Sequence, residues 1–339
     1  MRLFHTLSID LGTANTLILD LEHGIVLKEP TVIALDSASD EVVALGQAAE
    51  QLRGRISNKV VVKRPLKDGV IVALDAADLM LSHFIRQILG RGHIFLPRVI
   101  VGVPSGATDI ECRALKEAVA RAGAKLLYLI DEPVAAAIGA GLPITEPVGS
   151  MVIDIGGGTS EVAVLSMAGV VFSESVEVAG DELTESIQRW IKQEYHMVVS
   201  YRVAEEVKHQ LGSAHASAGL DEKTMEVAGI NLLSGLPAKI SLSGVEVREM
   251  MAEPIGVILA MIRQSLERLP PELAADLAER GIVLTGGGAL LQGLAQRIGE
   301  EFEIFVDVPP EPLHCVVLGA GEAIANPKKY GRFLQKVES

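Results

Sequence analysis

The sequence predicts a layered α/β fold made of two duplicated halves, and three observations carry that expectation. The apolar run Val152-Ile153 ends in Asp154 and Ile155, Gly156-Gly157-Gly158-Thr159 follows, and alternating apolar residues resume through Val164. That is the pattern of two strands joined by a tight hairpin. The same pattern stands near the N-terminus, where Leu7-Ser8-Ile9-Asp10-Leu11 leads into Gly12-Thr13-Ala14-Asn15 and then Thr16 to Leu19. Two such hairpins so far apart point to an internal duplication. Strand-like and helix-like runs also alternate between residues 97 and 140 and again after 150, as a layered α/β arrangement requires.

Glycines at these turns suit a phosphate cradle, because no Cβ obstructs backbone N–H groups closing on phosphate oxygens. Asp154 stands where a carboxylate could hold a water of a Mg²⁺ shell. An ordinary Gly-rich hairpin is the alternative for either stretch alone; the second copy favours a nucleotide clamped between halves. A third glycine turn, Gly286-Gly287-Gly288-Ala289, follows the apolar strand Ile282-Val283-Leu284 and is expected to open a helix. Its small residues and free N–H donors suit a base and ribose.

Length and composition bound the answer. With 339 residues, 49% of them hydrophobic, the chain can bury a sizeable core in two domains or one bilobal unit. Its net charge of −14 argues against sequence-blind nucleic-acid binding, which needs clustered cations, and against simple electrostatic adhesion to anionic lipid. Cys112 and Cys315 lack CxxC spacing and read as reduced core thiols. No run approaches a membrane span and no signal peptide is visible, so a cytoplasmic protein is expected.

Along the chain, strands are expected at 16–21, 24–27 and 31–35, then a small subdomain to about 66. Asp75 is a plausible N-cap for a helix whose apolar residues, Leu79 to Leu89, end at Gly90. Next, Gly90-Arg91-Gly92-His93-Ile94-Phe95-Leu96-Pro97 sets three bulky apolar residues where a surface loop is expected. They either stand exposed, pack back on the preceding helix or start the next strand. Pro97 to Val103 reads as a buried strand, Thr108 or Asp109 as the cap of a helix ended by Gly123, and Leu126 to Ile130 as another core strand delivering Asp131-Glu132-Pro133. Gly180 opens an amphipathic helix with Ile187, Trp190 and Ile191. A flexible loop is expected over 212–220, strands over 224–243, and a long apolar helix from Glu246 to Leu269 that tolerates Pro254. A final helix at 313–326 precedes a short basic tail, Lys328 to Arg332, solvated by default.

These residues carry a resemblance. The two Asp-Gly hairpins, Asp131-Glu132-Pro133-Val134-Ala135-Ala136-Ala137 and Leu284-Thr285-Gly286-Gly287-Gly288 resemble the five-part ATP signature of the actin, sugar kinase and heat-shock chaperone superfamily. Within it, Arg64 to Ile71, Val103-Pro104-Ser105-Gly106, Val178 to Glu182 and Leu269 to Asp276 are similar to MreB, the bacterial actin family of cell shape. The similarity covers nearly the whole chain.

The resemblance implies an actin-like fold: two duplicated ribonuclease-H-like lobes flanking a nucleotide cleft, each with a small subdomain. The subdomains would be 1–32 with 66–146 and 315–339, then 33–65, then 147–181 with 245–314, then 182–244. It implies ATP or ADP bound by Asp10, Gly12, Thr13, Ala14, Asn15, Asp154, Gly156, Gly157, Gly158, Thr159, Gly286, Gly287, Gly288 and Ala289, with Mg²⁺ held through water by Asp10 and Asp154. Glu205 and Lys208 would border ribose and adenine; their i,i+3 spacing puts both on one helix face, and a solvated surface pair is the alternative. Glu132 would orient the hydrolytic water, with Thr159 supporting it; a salt-bridged acid at a helix start is the alternative. Relatives usually carry two glutamates here, so Asp131 shortens the neighbouring side chain and bears on hydrolysis rate, not on ATP binding.

In the family the loop holding Ile94 and Phe95 dips into the membrane, and Leu3, Phe4 and Leu96 are further candidates for insertion. The implied partners are further copies of the chain, inner-membrane lipid, and a peptidoglycan-elongation assembly including RodZ, with the protein peripheral on the inner face of the cell membrane. Three function classes share the fold: a nucleotide-driven filament, a small-molecule kinase and a chaperone. The filament is expected to be a slow ATPase that shapes rod cells, with a paralogue that positions an organelle or other cargo as its nearest rival. A kinase would need an acceptor pocket and larger insertions, and a chaperone a further peptide-binding domain. An NAD dehydrogenase is disfavoured because Gly156-Gly157-Gly158 joins two strands and not a strand to a helix.

Overall fold

A computed structural model describes residues 5–54, 59–90, 97–124 and 126–337. Its largest sheet has six strands in the order Gln335–Val337, Leu126–Asp131, Arg98–Val103, Thr6–Leu11, Asn15–Asp20 and Gly24–Pro30. The last three form an antiparallel meander, and Thr6–Leu11 runs parallel to Arg98–Val103, which runs parallel to Leu126–Asp131. The second large sheet repeats this plan. Gly169–Val176, Ser160–Ser166 and Ser150–Ile155 form an antiparallel meander, and Ile282–Thr285 and Val306–Asp307 continue it in parallel. The duplication expected from two hairpin motifs is therefore a duplication of whole sheets. Ser150–Ile155 is buried throughout, which is why it reads as a continuous run and not as an alternation.

Two small three-stranded sheets accompany the large ones: Val42–Leu45, Ile33–Asp36 and Val60–Lys63 in the first half, and Met197–Val198, Thr224–Asn231 and Pro237–Ser243 in the second. Each half has its own apolar core. Leu7, Ile9, Val101, Phe84 and Val119 belong to the first, and Ile153, Ile187, Val207 and Ile262 to the second. A third core joins the halves: Ile100, Ile130, Ala135, Val152, Ala163, Cys315 and Ala320. Helices Glu132–Gly139 and Cys315–Ala325 cross there. A Cβ on Gly139 would stand 1.9 Å from the Cys315 carbonyl oxygen, and one on Gly319 only 1.8 Å from that of Ala135. Glycine at both positions is what lets the two backbones touch.

Several expectations are corrected. The helix at 74–89 has Ala73 as its N-cap, with Asp75 inside the first turn, where its charge still faces the positive end of the helix dipole. The apolar stripe from 246 is two helices, Gly244–Met250 and Ala252–Glu267, because Pro254 is accommodated only in the first turn of a new helix, where its missing N–H costs nothing. Residues 212–220 are ordered: the Ala214 N–H donates to the Gln292 carbonyl at 2.8 Å, Ser217 Oγ bonds Gln296, and Ala216–Ala218 forms a 3₁₀ turn. In the basic tail Lys328, Lys329 and Arg332 are exposed as expected, while Tyr330 is buried and, beyond them, Gln335–Val337 covers the edge strand Leu126–Asp131. Thr108, not Asp109, caps the helix Asp109–Arg121 through a reciprocal pair with Glu111. Cys112 is half-buried and Cys315 buried, both as free thiols.

Candidate nucleotide cleft

The two hairpin turns close in the same way. The Gly12 N–H donates to the Asn15 carbonyl at 3.1 Å, and the Gly156 N–H to the Thr159 carbonyl at 2.8 Å. Their tips meet between the halves. A Cβ on Gly157 would lie 2.8 Å from Ala14 Cβ, and one on Gly158 would lie 2.8 Å from both Thr13 Oγ1 and Asp68 Cα. The Gly69 N–H donates to Thr13 Oγ1 at 2.9 Å, so the 67–70 turn forms a third wall beside Thr159. Thr31 ties the first turn down from behind, donating to the Gly12 carbonyl at 2.7 Å and meeting Thr16 Oγ1 at 2.9 Å.

Four carboxylates converge beneath the tips. Asp10 and Asp154 come from the equivalent strands of the two halves, Glu132 from the start of its helix, and Glu161 from the strand returning from the second turn. Asp154 and Glu161 are buried and Asp10 and Glu132 half-buried. Enclosure by protein and the proximity of Asp154 push Asp10 up to about 7, while burial pushes Asp154 up to about 6 against the opposing Thr285 hydrogen bond. Burial pushes Glu161 up to about 8 although the Ser105 N–H donates to it at 2.8 Å. Glu132 is raised well above the carboxylate range by enclosure and then by Glu161, Asp10 and Asp154. Among the described residues none of the four has a cationic side chain paired to it, and Glu161 Oε2 is buried with no hydrogen-bond partner. Such a set fits a divalent cation. The four do not converge closely enough for three of them to ligate one ion directly, which suits an ion that keeps part of its water shell.

The third glycine turn is placed against the second hairpin. Gly286 has φ +79°, and a Cβ there would stand 2.3 Å from the Ile155 carbonyl and 2.7 Å from Asp154 Oδ1. Thr285 Oγ1 donates to Asp154 Oδ1 at 2.9 Å and so fixes the carboxylate. Gly287–Leu290 is a 3₁₀ turn and the α-helix begins only at Leu294, so the expected helix start at this turn is not what Gly287, Gly288 and Ala289 supply. Their backbone offers a tight turn instead. Lys208 Nζ donates to the Gly180 carbonyl at 2.7 Å, and burial lowers its pKa; Glu205 stands on the same helix, Tyr201–Leu211.

A cavity of about 30 Å³, room for a water or two, borders Glu132, Gly102, Pro104 and Gly69. Across the top, Arg64 Nη1 donates to Asp181 Oδ2 at 2.8 Å, and the Tyr201 hydroxyl donates to Asp181 Oδ1. The Arg53 and Arg64 guanidiniums lie 4.4 and 5.3 Å from the Tyr201 ring centroid. This latch, with Glu161, Ser105 and Thr285, was not assigned from the sequence. Only for Glu161 was there a local signal, a charged residue inside a buried strand seven positions after Asp154. Ile94, Phe95, Leu96, Leu3 and Phe4 lie outside the described residues. Among the described residues no helix is long and apolar enough to cross a membrane.

Two sheets of one plan, hinged at a glycine crossing and facing each other across glycine turns and buried acids, define an actin-like protein with a nucleotide-binding fold. The sequence matches the MreB/Mbl protein family model over residues 4–332, and the chain belongs to that family. It is 47% identical over 325 residues to the cell shape-determining protein MreB of Escherichia coli K12, covering 94% of this chain and 92% of that one. The crystal structure of MreB5 of Spiroplasma citri bound to ADP superposes with a TM-score of 0.90 at 33% identity, covering 97% of this chain and 98% of that chain. The MamK double helical filament, at 20% identity and a TM-score of 0.78 over 95% and 98% of the two chains, shares the fold.

Proposed function

We propose that the cleft binds ATP with Mg²⁺ and that the chain polymerises into membrane-associated filaments that organise peptidoglycan elongation and maintain rod shape. The observation that carries this reading is the pair of equivalent Asp-Gly hairpins facing each other over buried, uncompensated carboxylates. The likeness to MreB and to ADP-bound MreB5 supports it. Gly12 to Asn15 and Gly156 to Thr159 would present backbone N–H groups to the phosphates. Gly286 to Ala289 would admit the base, and Glu205 and Lys208 the ribose and adenine edge. Asp10 and Asp154 would hold Mg²⁺ through water, and the bound ion would neutralise phosphate charge and the acids together. Glu132 would accept a proton from, and orient, a water in the neighbouring cavity, with Thr159 beside it; hydrolysis would be slow and serve as a timer for the filament.

The four-subdomain division, cytoplasmic placement against the inner face of the membrane, and contacts with lipid, RodZ and elongation proteins belong to the same proposal. A family paralogue that positions an organelle or other cargo is the second reading; the 47% identity to a cell shape-determining protein favours the first. The test is sedimentation with electron microscopy in ATP, ADP or no nucleotide. Pelleted filaments that need ATP, and that are lost in Asp10→Ala, support the reading. A chain that stays monomeric throughout while hydrolysing ATP overturns it and directs the search to an acceptor substrate.

A further inference from the structure

We propose that His5, Asp20 and His23 form a transition-metal site, with Zn²⁺ as the ion they suit, at the end of the first sheet remote from the nucleotide cleft. Asp20 closes the strand Asn15–Asp20, about 17 Å along the chain from the phosphate turn at ~3.3 Å per residue. His5 directly precedes the paired strand, in which Leu7 faces Asp20, and His23 lies in the tight turn that follows, its N–H donating to the Asp20 carbonyl at 3.1 Å. Local backbone geometry thus brings all three side chains to one spot.

Both imidazoles aim the same atom at the same acceptor. Nδ1 of His5 stands 2.5 Å and Nδ1 of His23 3.2 Å from Asp20 Oδ2, while Asp20 Oδ1 accepts from the Glu22 N–H at 2.9 Å. The three ligand atoms all lie within 4.8 Å of one another, and among the described residues no other group of His, Cys, Asp and Glu does so. The Asp20 side chain is 2% exposed, that of His5 24% and that of His23 61%. A buried carboxylate oriented by a backbone N–H, with two imidazoles at the surface, is the donor set of a three-ligand site open to water on one side. Tetrahedral ligands at about 2.0–2.1 Å stand roughly 3.3 Å apart. His23 already meets that separation from Oδ2, and His5 need move by less than about 1 Å. Two imidazoles and one carboxylate favour late first-row ions over Mg²⁺ and Ca²⁺, which prefer oxygen donors alone.

The site sits where the first strand begins, next to the Arg98 N–H that donates to the His5 carbonyl at 3.0 Å. An ion there would pin the start of the first strand to its turn and to the strand Arg98–Val103. The test is Zn²⁺ titration of the full chain against a chromophoric chelator, with Mg²⁺ and ADP saturating so that the cleft acids do not compete. One Zn²⁺ per chain is expected, bound at least about tenfold more weakly by His23→Ala and by His5→Ala, with Zn²⁺ raising the thermal midpoint of the parent alone. His23→Ala changes an exposed turn and keeps the fold, as circular dichroism and unchanged ADP binding will check. Absence of stoichiometric Zn²⁺ in the parent, or retention of affinity in His23→Ala, overturns the site and leaves a purely hydrogen-bonded His-Asp-His cluster.

Discussion

At the scale of single residues, the cleft acids make the strongest predictions. Replacing Glu132 by Gln keeps the side-chain volume and removes the proton acceptor. ATP hydrolysis should fall by about 10²–10⁴-fold, measured as phosphate release, while nucleotide affinity stays near that of the parent. Asp154 and Glu161 have folded-state pKa values raised to about 6 and about 8. A raised carboxyl contributes stability that is complete below its unfolded value near 4 and is lost as pH rises through the folded value. In EDTA without nucleotide, the thermal midpoint should therefore fall between about pH 5 and 8, by on the order of 5 °C. Mg²⁺ with ADP should remove most of that fall, because a cation rewards the ionised forms. A midpoint flat in pH without metal would show that the acids are not poised in this way.

At the scale of elements, the helix crossing and the latch matter most. Gly139→Ala places a methyl 1.9 Å from a carbonyl oxygen of the partner helix, so the halves must part. A loss of about 3 kcal/mol or more in denaturant melts is expected, against under about 1 kcal/mol for Gly256→Ala, which meets nothing within 4 Å and gains helix propensity. Arg64→Ala removes one charge-assisted hydrogen bond across the cleft, with both side chains largely shielded from water. At about 1.5 kcal/mol, nucleotide release followed with a fluorescent ADP should quicken roughly tenfold. Unchanged release would mean that the latch does not gate the cleft.

At the scale of the whole molecule, the acidic balance and the apolar residues Ile94 and Phe95 set the behaviour at lipid that the proposed function predicts. A net charge of −14 opposes electrostatic adhesion, so the proposed attachment to lipid would rest on insertion of Ile94 and Phe95 repeated along the proposed filament. Ile94→Ser with Phe95→Ser removes about 1.5–3 kcal/mol per side chain. The pair should abolish co-pelleting with liposomes while ATP-dependent pelleting continues.

The two hairpins, Glu132 and the glycine turn after Leu284 were legible in the amino-acid order because each is a local pattern: an apolar strand, an acid, and glycines within a few residues. The capping pair Thr108 and Glu111 was half legible, since two candidate caps stood side by side. Ser105 to Glu161 and Thr285 to Asp154 were not legible, being contacts across 56 and 131 positions. The break at Met251 stayed hidden because Pro254 is compatible both with a kinked helix and with the first turn of a new one.

Sequence alone thus settled the duplicated plan and the family and put forward the residues proposed to face a nucleotide, because backbone freedom at glycine and the alternation of buried strands are written into neighbouring positions. Tertiary structure alone decided how the halves are joined and that Asp181 is paired with a cation across the cleft while, among the described residues, the four acids beneath the turns are not. The glycine crossing of two helices, the Arg64, Asp181 and Tyr201 latch, and the meeting of His5 with Asp20 and His23 all depend on which surfaces fold together. Desolvation of four acids in one cleft is likewise a property of enclosure, and no single stretch of chain contains it.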